Sequence, residues 1–540
     1  MWGTEVARGD GPVAFLVYEQ RRRRVTELLH DAARWADRDH LVQGDRRVTF
    51  TAMIAAADRV AGHLSVRGLG PGDRLLLLDR NSPEWVISLW AGLRLGAVVA
   101  PSNRWWSTEE IAHAIELTAP AVIIADTEMA RLLPAGTGES TGTGEGTGPA
   151  VVPVADIRAA QSTPPLPIPE RPTGGEDDPA LIIFTAGTTG LAKAAVLAHR
   201  SVIANLQNLL VTSKRLPHQL SDDRPPEVIL QSGPLFHIGG IQSLLLALLG
   251  GNTMVFLEGR FDSGQVLDLI ERERVSIWGA VPTMAIRVLT DPTLPGRDLS
   301  AVRSISLGGS PVTPELSDRL RAAFPAVQRG VSTIYGMTEA GGTVAAASGA
   351  LMAEHPQTAG RPLPVVEMRI AEPDETGTGE IIVRTPSQML GYWGEDAPEV
   401  IDADGWLHTG DLGRIDDGLL YVTGRAKDVI IRGGENIAAS HVEEVLHQHP
   451  AVAAVAVLGL PDADLGEIVG AIVQLRAAAT AAELTAFAAD RLGRFQVPAR
   501  WRLQEEPLPM TDAGKIAKHE LRHAWLSELK GEPTRKARTP

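Results

Sequence analysis

At 540 residues the chain exceeds the ~250–300 residues at which a single hydrophobic core stops growing, so more than one domain is expected. Apolar residues at 44% and charged residues at 22% suit an ordinary globular protein, and a net charge of −15 argues against a nucleic-acid partner, which would call for a basic face. The absence of cysteine excludes disulfides, thiolate metal sites and a thioester carried on the protein itself.

Near the N-terminus a six-residue apolar run, Val13 to Tyr18, precedes four arginines at 21–24. It is too short for a membrane span or a secretory apolar region, and the charge follows rather than leads it. A soluble cytoplasmic protein without a transmembrane segment is the expectation. The runs "RLLLL" (74–78), "AVIIAD" (121–126), "LIIF" (181–184) and "TMVFL" (253–257) are short and bounded by turn residues. Helical stretches such as "ISLWAGLRLGAV" (87–98) and "GQVLDLIERERV" (264–275) lie between them, which predicts parallel sheets in an α/β protein. The glycine-threonine tract at 135–149 has nothing to bury and reads as a flexible loop, and "ETGTGE" (375–380) reads as a turn leading into the strand "IIVR".

The C-terminal part reads as a separate α+β unit. Ser440 and Glu443 fit a capping box, with Val442, Val445 and Leu446 as the apolar stripe that follows. Thr480 and Glu483 repeat that start ahead of Leu484, Phe487 and Leu492, and strand-like runs at 451–460 and 468–475 lie between the two helices. The tail, 530–540, is polar and basic and is expected to be disordered.

"FTAGTTGLAKAAV" (184–196) is a glycine-threonine loop closed by a lysine. It fails the P-loop pattern twice: counted from Gly187, Ala192 stands where the second glycine belongs, and Ala194 stands where a Ser or Thr should follow Lys193. Thr185, Thr188 and Thr189 supply hydroxyls, while Gly187 and Gly190 allow backbone N–H groups to close on phosphate oxygens. On its own the loop is equally a polar turn between strands. Downstream come "PLFHIGG" (234–240), "LGGSP" (307–311), "YGMTE" (335–339), "MLGYW" (389–393), "GWLHTGDLG" (405–413), "GRAKDVIIRGGEN" (424–436) and "PLPMTDAGKIAK" (507–518), in that order.

Together these segments resemble the ordered core motifs of the adenylate-forming superfamily, the acyl-CoA synthetases and their relatives, over about residues 25–525. The resemblance implies an α/β fold: a large N-terminal ATP- and acyl-binding domain (1–424) of stacked, mostly parallel sheets flanked by helices, and a small mobile α+β domain (425–540) hinged at Lys427. It implies an ATP- and Mg2+-dependent ligase that makes an acyl adenylate, releases pyrophosphate and forms a thioester with coenzyme A. ATP would be held by the 184–196 loop with Lys193, by Gly309, by Tyr335 against adenine, by Thr338 near the α-phosphate, and by Asp411 and Arg425 at the ribose. Glu339 would hold the metal. Phe236, His237, Ile238, Gly240, Gly308, Gly336, Met337 and Gly341 would line the acyl pocket, apolar and small apart from His237, and would favour a fatty or aromatic acid.

Gly433, Gly434, Glu435 and Asn436 would lie on the coenzyme A side. Lys515 would bridge the attacking carboxylate and the α-phosphate, with Thr188 and Glu339 sharing the catalytic work, whereas Lys518 reads as a surface lysine. The loop departs from the superfamily's usual S-G-T-T-G-x-P-K-G at Ala186, Ala192 and Ala194. Alternatives stay open: a carrier protein, an amine or no acceptor at all in place of coenzyme A, a small non-carboxylate oxyanion as substrate, or a silent nucleotide-binding regulator. A homodimer is compatible with the sequence.

Overall fold

The computed structural model describes residues 2–11, 13–138, 148–168, 174–185, 192–307, 314–327, 331–348, 350–355, 357–395, 400–425, 429–432, 435–462, 465–492, 494–511 and 515–531. The chain forms two compact units: Met1–Met368 with Ile382–His408, and Arg369–Ile381 with Thr409–Pro540.

The first unit carries two large sheets. One runs, in spatial order, Gly391–Tyr392, Lys193–Ala198, Pro179–Thr185, Val98–Pro101, Arg74–Leu78, Val122–Ala125 and Ala150–Pro153. Its last five strands pair in parallel, and the edge formed by the first two is antiparallel. The other has nine strands, with parallel pairing through its centre (Leu41–Gln43 to Thr253–Phe256, Val228–Gln231, Ile277–Ala280, Ser304–Leu307 and Val331–Thr333) and antiparallel pairs at both edges. Helical crossovers explain the parallel centres, and burial on both faces explains why "RLLLL" is a continuous apolar run rather than an alternating one.

The helix Pro83–Arg94 touches strands of both sheets and is buried almost all round, so its sequence shows no polar face. It starts earlier than its apolar pattern suggests, because Ser82 caps it by accepting from the Trp85 N–H. It ends at Arg94, before Gly96 at φ +74°, so residues 95–98 form a turn and the start of a strand. The second predicted helix likewise ends early: it spans Ser263–Arg272, and Val275 packs into the core beyond it.

The four arginines at 21–24 are spent inside the unit. Arg21 and Arg23 both pair with Glu176, Arg22 with Asp31, and Arg24 with Asp178, while Arg200 pairs with Asp177. Glu176, Asp177 and Asp178 immediately precede the strand Pro179–Thr185, so Arg21, Arg23, Arg24 and Arg200 anchor the strand that leads into the glycine-threonine segment.

In the second unit the strands Val429–Arg432, Glu435–Ala438, Val452–Asp462, Gly466–Leu475 and Arg500–Gln504 form one sheet, with the helices Ala439–His447 and Ala481–Ala489 packed on its core. A four-stranded sheet orders Glu367–Ala371, Gly379–Arg384, Leu407–Asp416 and Leu419–Arg425. The box at Thr480 forms as the sequence suggests: its hydroxyl accepts from Glu483 N–H, and the Glu483 carboxylate accepts from Thr480 N–H at 2.7 Å.

The box at Ser440 does not form. Ala438 is the cap residue, Ser440 instead donates to the Thr423 carbonyl at 2.7 Å, and Glu443 accepts from Val457 N–H at 2.7 Å while pairing with Lys518 at 2.8 Å. A neighbouring strand and a cation outcompete the local pattern. The ion pair also accounts structurally for Lys518. The 135–149 tract lies mostly, and the 530–540 tail almost wholly, outside the described residues. Among the described residues no helix is long and apolar enough to cross a membrane.

Candidate active site

Thr185 ends one strand and Lys193 begins the next, and the two residues are direct antiparallel partners. The loop is therefore strand–loop–strand. A P-loop runs from strand to helix, so by topology as well as by sequence this segment is not a P-loop. Gly187, Thr188, Thr189 and Gly190, like Ala186, lie outside the described residues. The two other departures have a packing role: Ala194 is buried, and with Ala192 it belongs to the core around Trp106, Phe184 and Trp393.

Residues 387–393 stitch this strand to the turn after "YGM". Leu390 N–H donates to the Val196 carbonyl and Trp393 N–H to the Ala194 carbonyl, both at 2.8 Å. On the other side Met389 N–H donates to the Glu339 carbonyl at 2.8 Å, and the Ser387 hydroxyl donates to the Ala340 carbonyl at 2.8 Å. Gly341 sits at φ +73°, and a Cβ there would come within 1.9 Å of the Ser387 carbonyl oxygen, so both its conformation and its space require glycine.

Two opposite charges face this seam. The Glu339 carboxylate accepts from the Tyr392 hydroxyl at 2.9 Å. The Lys193 ammonium lies 4.6 Å from the centre of the Tyr392 ring and pairs with Glu395 at 2.8 Å. The sequence does not single out Tyr392 or Glu395, since a tyrosine in an apolar run gives no periodic signal. Among the described residues no three His, Asp or Glu side chains cluster to cage a metal. One half-buried carboxylate, Glu339, suits Mg2+, which typically takes one or two carboxylates and completes its shell with phosphates and water.

Tyr335 to Met337 end the strand Val331–Met337, and Thr338 to Ala340 make the turn beyond it. His237 is the cap residue of the helix Ile238–Gly250. Its ring lies 4.5 Å from that of Phe236, which meets Trp105 edge-on at 5.7 Å. Gly240 has a backbone role as well, since a Cβ there would come within 2.3 Å of the Pro234 carbonyl oxygen. Gly308 and Gly309 lie outside the described residues.

In the second unit Asp411 is buried and stands directly opposite Arg425 in the antiparallel ladder. Its N–H donates to the Thr409 hydroxyl at 3.1 Å, and that hydroxyl donates to the Ile381 carbonyl at 2.6 Å, which fixes the "TGD" backbone. Lys515 is exposed beside the Met510–Ile516 bridge, with Thr511 N–H donating to the Lys515 carbonyl at 2.6 Å. Glu435 and Asn436 belong to the strand Glu435–Ala438; Lys427, Gly433 and Gly434 lie outside the described residues.

Comparison with known proteins matches this arrangement. The model of the AMP-binding enzyme family covers residues 28–393, and that of the AMP-binding enzyme C-terminal domain covers 441–515. The chain is similar to a feruloyl-CoA synthase of Amycolatopsis sp, 35% identical across 89% of this chain and 95% of that protein. It is also similar to a fatty acid–[acyl-carrier-protein] ligase of Streptomyces coeruleorubidus, 31% identical across 89% and 92%. Among solved structures, O-succinylbenzoate coenzyme A synthetase from Bacillus subtilis, in complex with ATP and magnesium ion, superposes with a TM-score of 0.77 at 29% identity, covering 92% of this chain and 99% of that one. With the family model spanning well over half of its length, the chain belongs to the AMP-binding enzymes of the adenylate-forming superfamily.

Proposed function

We propose that the protein is an ATP-dependent acid–CoA ligase: a carboxylate attacks the α-phosphate of ATP, pyrophosphate leaves, and the thiol of coenzyme A then displaces AMP from the acyl adenylate. The observation that carries this reading is the seam at Tyr392, where one short segment holds both the strand leaving the glycine-threonine loop and the turn bearing Glu339. A phosphate loop and a lone carboxylate fixed to each other are what binding of a metal–triphosphate requires. When bound at Glu339, Mg2+ would neutralise charge on the phosphate oxygens.

In this reading Lys193 and the loop hydroxyls of Thr185, Thr188 and Thr189 take phosphate oxygens, and Thr338 lies near the α-phosphate. Gly309 and Tyr335 form the adenine site. Asp411 accepts both ribose hydroxyls with help from Arg425, and Lys515 offsets the charge that develops on the pentacovalent phosphorus. Lys427 is the hinge, in a mobile domain taken as 425–540, and Gly433 to Asn436 serve the coenzyme A side. The acid is aromatic or fatty: Trp105, Phe236 and His237 form an aromatic group beside the helix Ile238–Gly250, and a side chain at Gly279, in a central strand, would meet nothing within 4 Å. The likeness to a feruloyl-CoA synthase supports the aromatic choice. A second reading, a carrier protein as acceptor, has the Streptomyces carrier-protein ligase in its favour.

The test is pyrophosphate release from ATP across a panel of aromatic and fatty acids, with and without coenzyme A. Acid-dependent release with an acyl-CoA product is the expected result. Release that coenzyme A leaves unchanged, with no thioester formed, would turn the reading toward the carrier protein.

A further inference from the structure

We propose that Tyr392 is the positioning residue of the metal site: its hydroxyl sets the Glu339 carboxylate for a divalent cation, and its ring keeps the Lys193 ammonium from collapsing onto that carboxylate. The inference rests on the ATP- and metal-dependent reading above.

The geometry carries it in three steps. A carboxylate has two equivalent oxygens and a freely turning terminal torsion, and a hydroxyl donated to one oxygen removes most of that freedom. In Glu339 the Oε1 atom receives the Tyr392 hydroxyl at 2.9 Å, and the residue's backbone is pinned through its carbonyl by Met389 N–H. Next, Lys193 and Glu339 are opposite charges facing the same phenol. Were they to pair directly, the cation meant for phosphate and the anion meant for metal would cancel. Instead the ammonium lies on the ring face at 4.6 Å and pairs with Glu395, leaving the hydroxyl edge of the ring to Glu339. A neutral ring between them permits this, since its face attracts a cation while its O–H donates to an anion.

Finally, Tyr392 is itself tied down: it pairs with Ala195 in the sheet, and its neighbours Leu390 and Trp393 donate to Val196 and Ala194. Loop lysine and metal carboxylate are thereby referenced to the same strand. Partners that orient a metal ligand in this way typically contribute about 10–100-fold in metal affinity.

Two substitutions separate the roles. Tyr392→Phe keeps the ring under Lys193 and removes only the hydroxyl; Tyr392→Leu removes both. The probe is Mn2+, titrated by electron paramagnetic resonance against the full-length protein with ATP present and no acid. Tyr392→Phe should raise the Mn2+ half-saturation about tenfold while leaving metal-free ATP binding and the thermal midpoint near wild type. Tyr392→Leu should in addition weaken metal-free ATP binding. In a Glu339→Gln background Tyr392→Phe should add nothing further, since both act through one carboxylate.

Wild-type Mn2+ half-saturation in Tyr392→Phe would overturn the proposal, as would full additivity with Glu339→Gln, including where Tyr392→Phe also lowers the thermal midpoint. Failure of the underlying reading looks different: the wild-type protein itself would then neither hold Mn2+ with ATP nor release pyrophosphate with any acid.

Discussion

Two lysines assigned to ATP chemistry sit in contrasting surroundings. Lys193 begins a strand paired on both sides, and its ammonium is held by a ring face and a carboxylate. Lys515 is exposed, beside the Met510–Ile516 bridge and just before the helix Lys518–Gly531. The difference teaches a division of labour. The Lys193 ammonium is already ordered by its partners, which suits the binding role proposed for it, because ordering long side chains at the moment of binding costs affinity. The Lys515 side chain is exposed beside the Met510–Ile516 bridge, which suits the one-step role proposed for it.

The largest effect expected from breaking this contrast comes from Lys515→Ala. Pyrophosphate release should fall about 10²–10³-fold, the usual cost of one preorganised donor at a developing charge. Thioester formation from a supplied acyl adenylate should survive, and loss of both steps to the same extent would contradict the assignment. Next is Lys193→Ala, where the loss should appear in KM for ATP, by about tenfold or more for one charge-assisted bond, with kcat nearly kept. If Lys193→Ala lowers kcat at unchanged KM, the lysine acts in the transition state and the division fails.

A smaller effect, on stability rather than rate, is expected from Glu176→Gln. It leaves Arg21 and Arg23 without their shared carboxylate next to the strand that leads into the glycine-threonine segment. Bonds to charged groups are worth about 1.5–3 kcal/mol each, so the thermal midpoint should fall. An unchanged midpoint would mean the arginine run is decoration rather than an anchor.

The last effect is pH-dependent. His40 is wholly buried, stacks on Phe50 at 4.2 Å and donates from Nδ1 to the Asn252 carbonyl at 3.0 Å, and burial lowers its pKa to about 4. The unfolded chain takes up a proton here below about pH 6.5 that the folded chain refuses until about pH 4. Its contribution to stability is therefore whole above pH 6.5 and declines as pH falls towards 4. His40→Gln should flatten the thermal midpoint across that window; an unaltered slope would show that another group titrates there.

Much of this was legible in the sequence, for physical reasons that can be named. The strand "LIIF" and the lysine that follows the loop are fixed by short-range chemistry, apolar runs and glycine turns, and the Thr185–Lys193 pairing follows from them. The motif order carried the family. What stayed hidden depends on residues far apart in the chain. Nothing local tells that Tyr392 will meet Glu339, or that Arg21 and Arg23 will meet Glu176. The error at Ser440 has the same origin: Ser-x-x-Glu is a valid local signal, but Val457 and Lys518 offered Glu443 better partners. Ala194 read as a departure from a phosphate motif, whereas its burial under the edge strand is a matter of packing.

The central claim is that this chain adenylates an acid and passes it to coenzyme A, and the most direct measurement follows pyrophosphate and product together. With ATP, Mg2+ and an aromatic acid, the account predicts acid-dependent pyrophosphate release, a bound acyl adenylate without coenzyme A and an acyl-CoA product with it. ATP bound with no pyrophosphate released by any acid in the panel would contradict it.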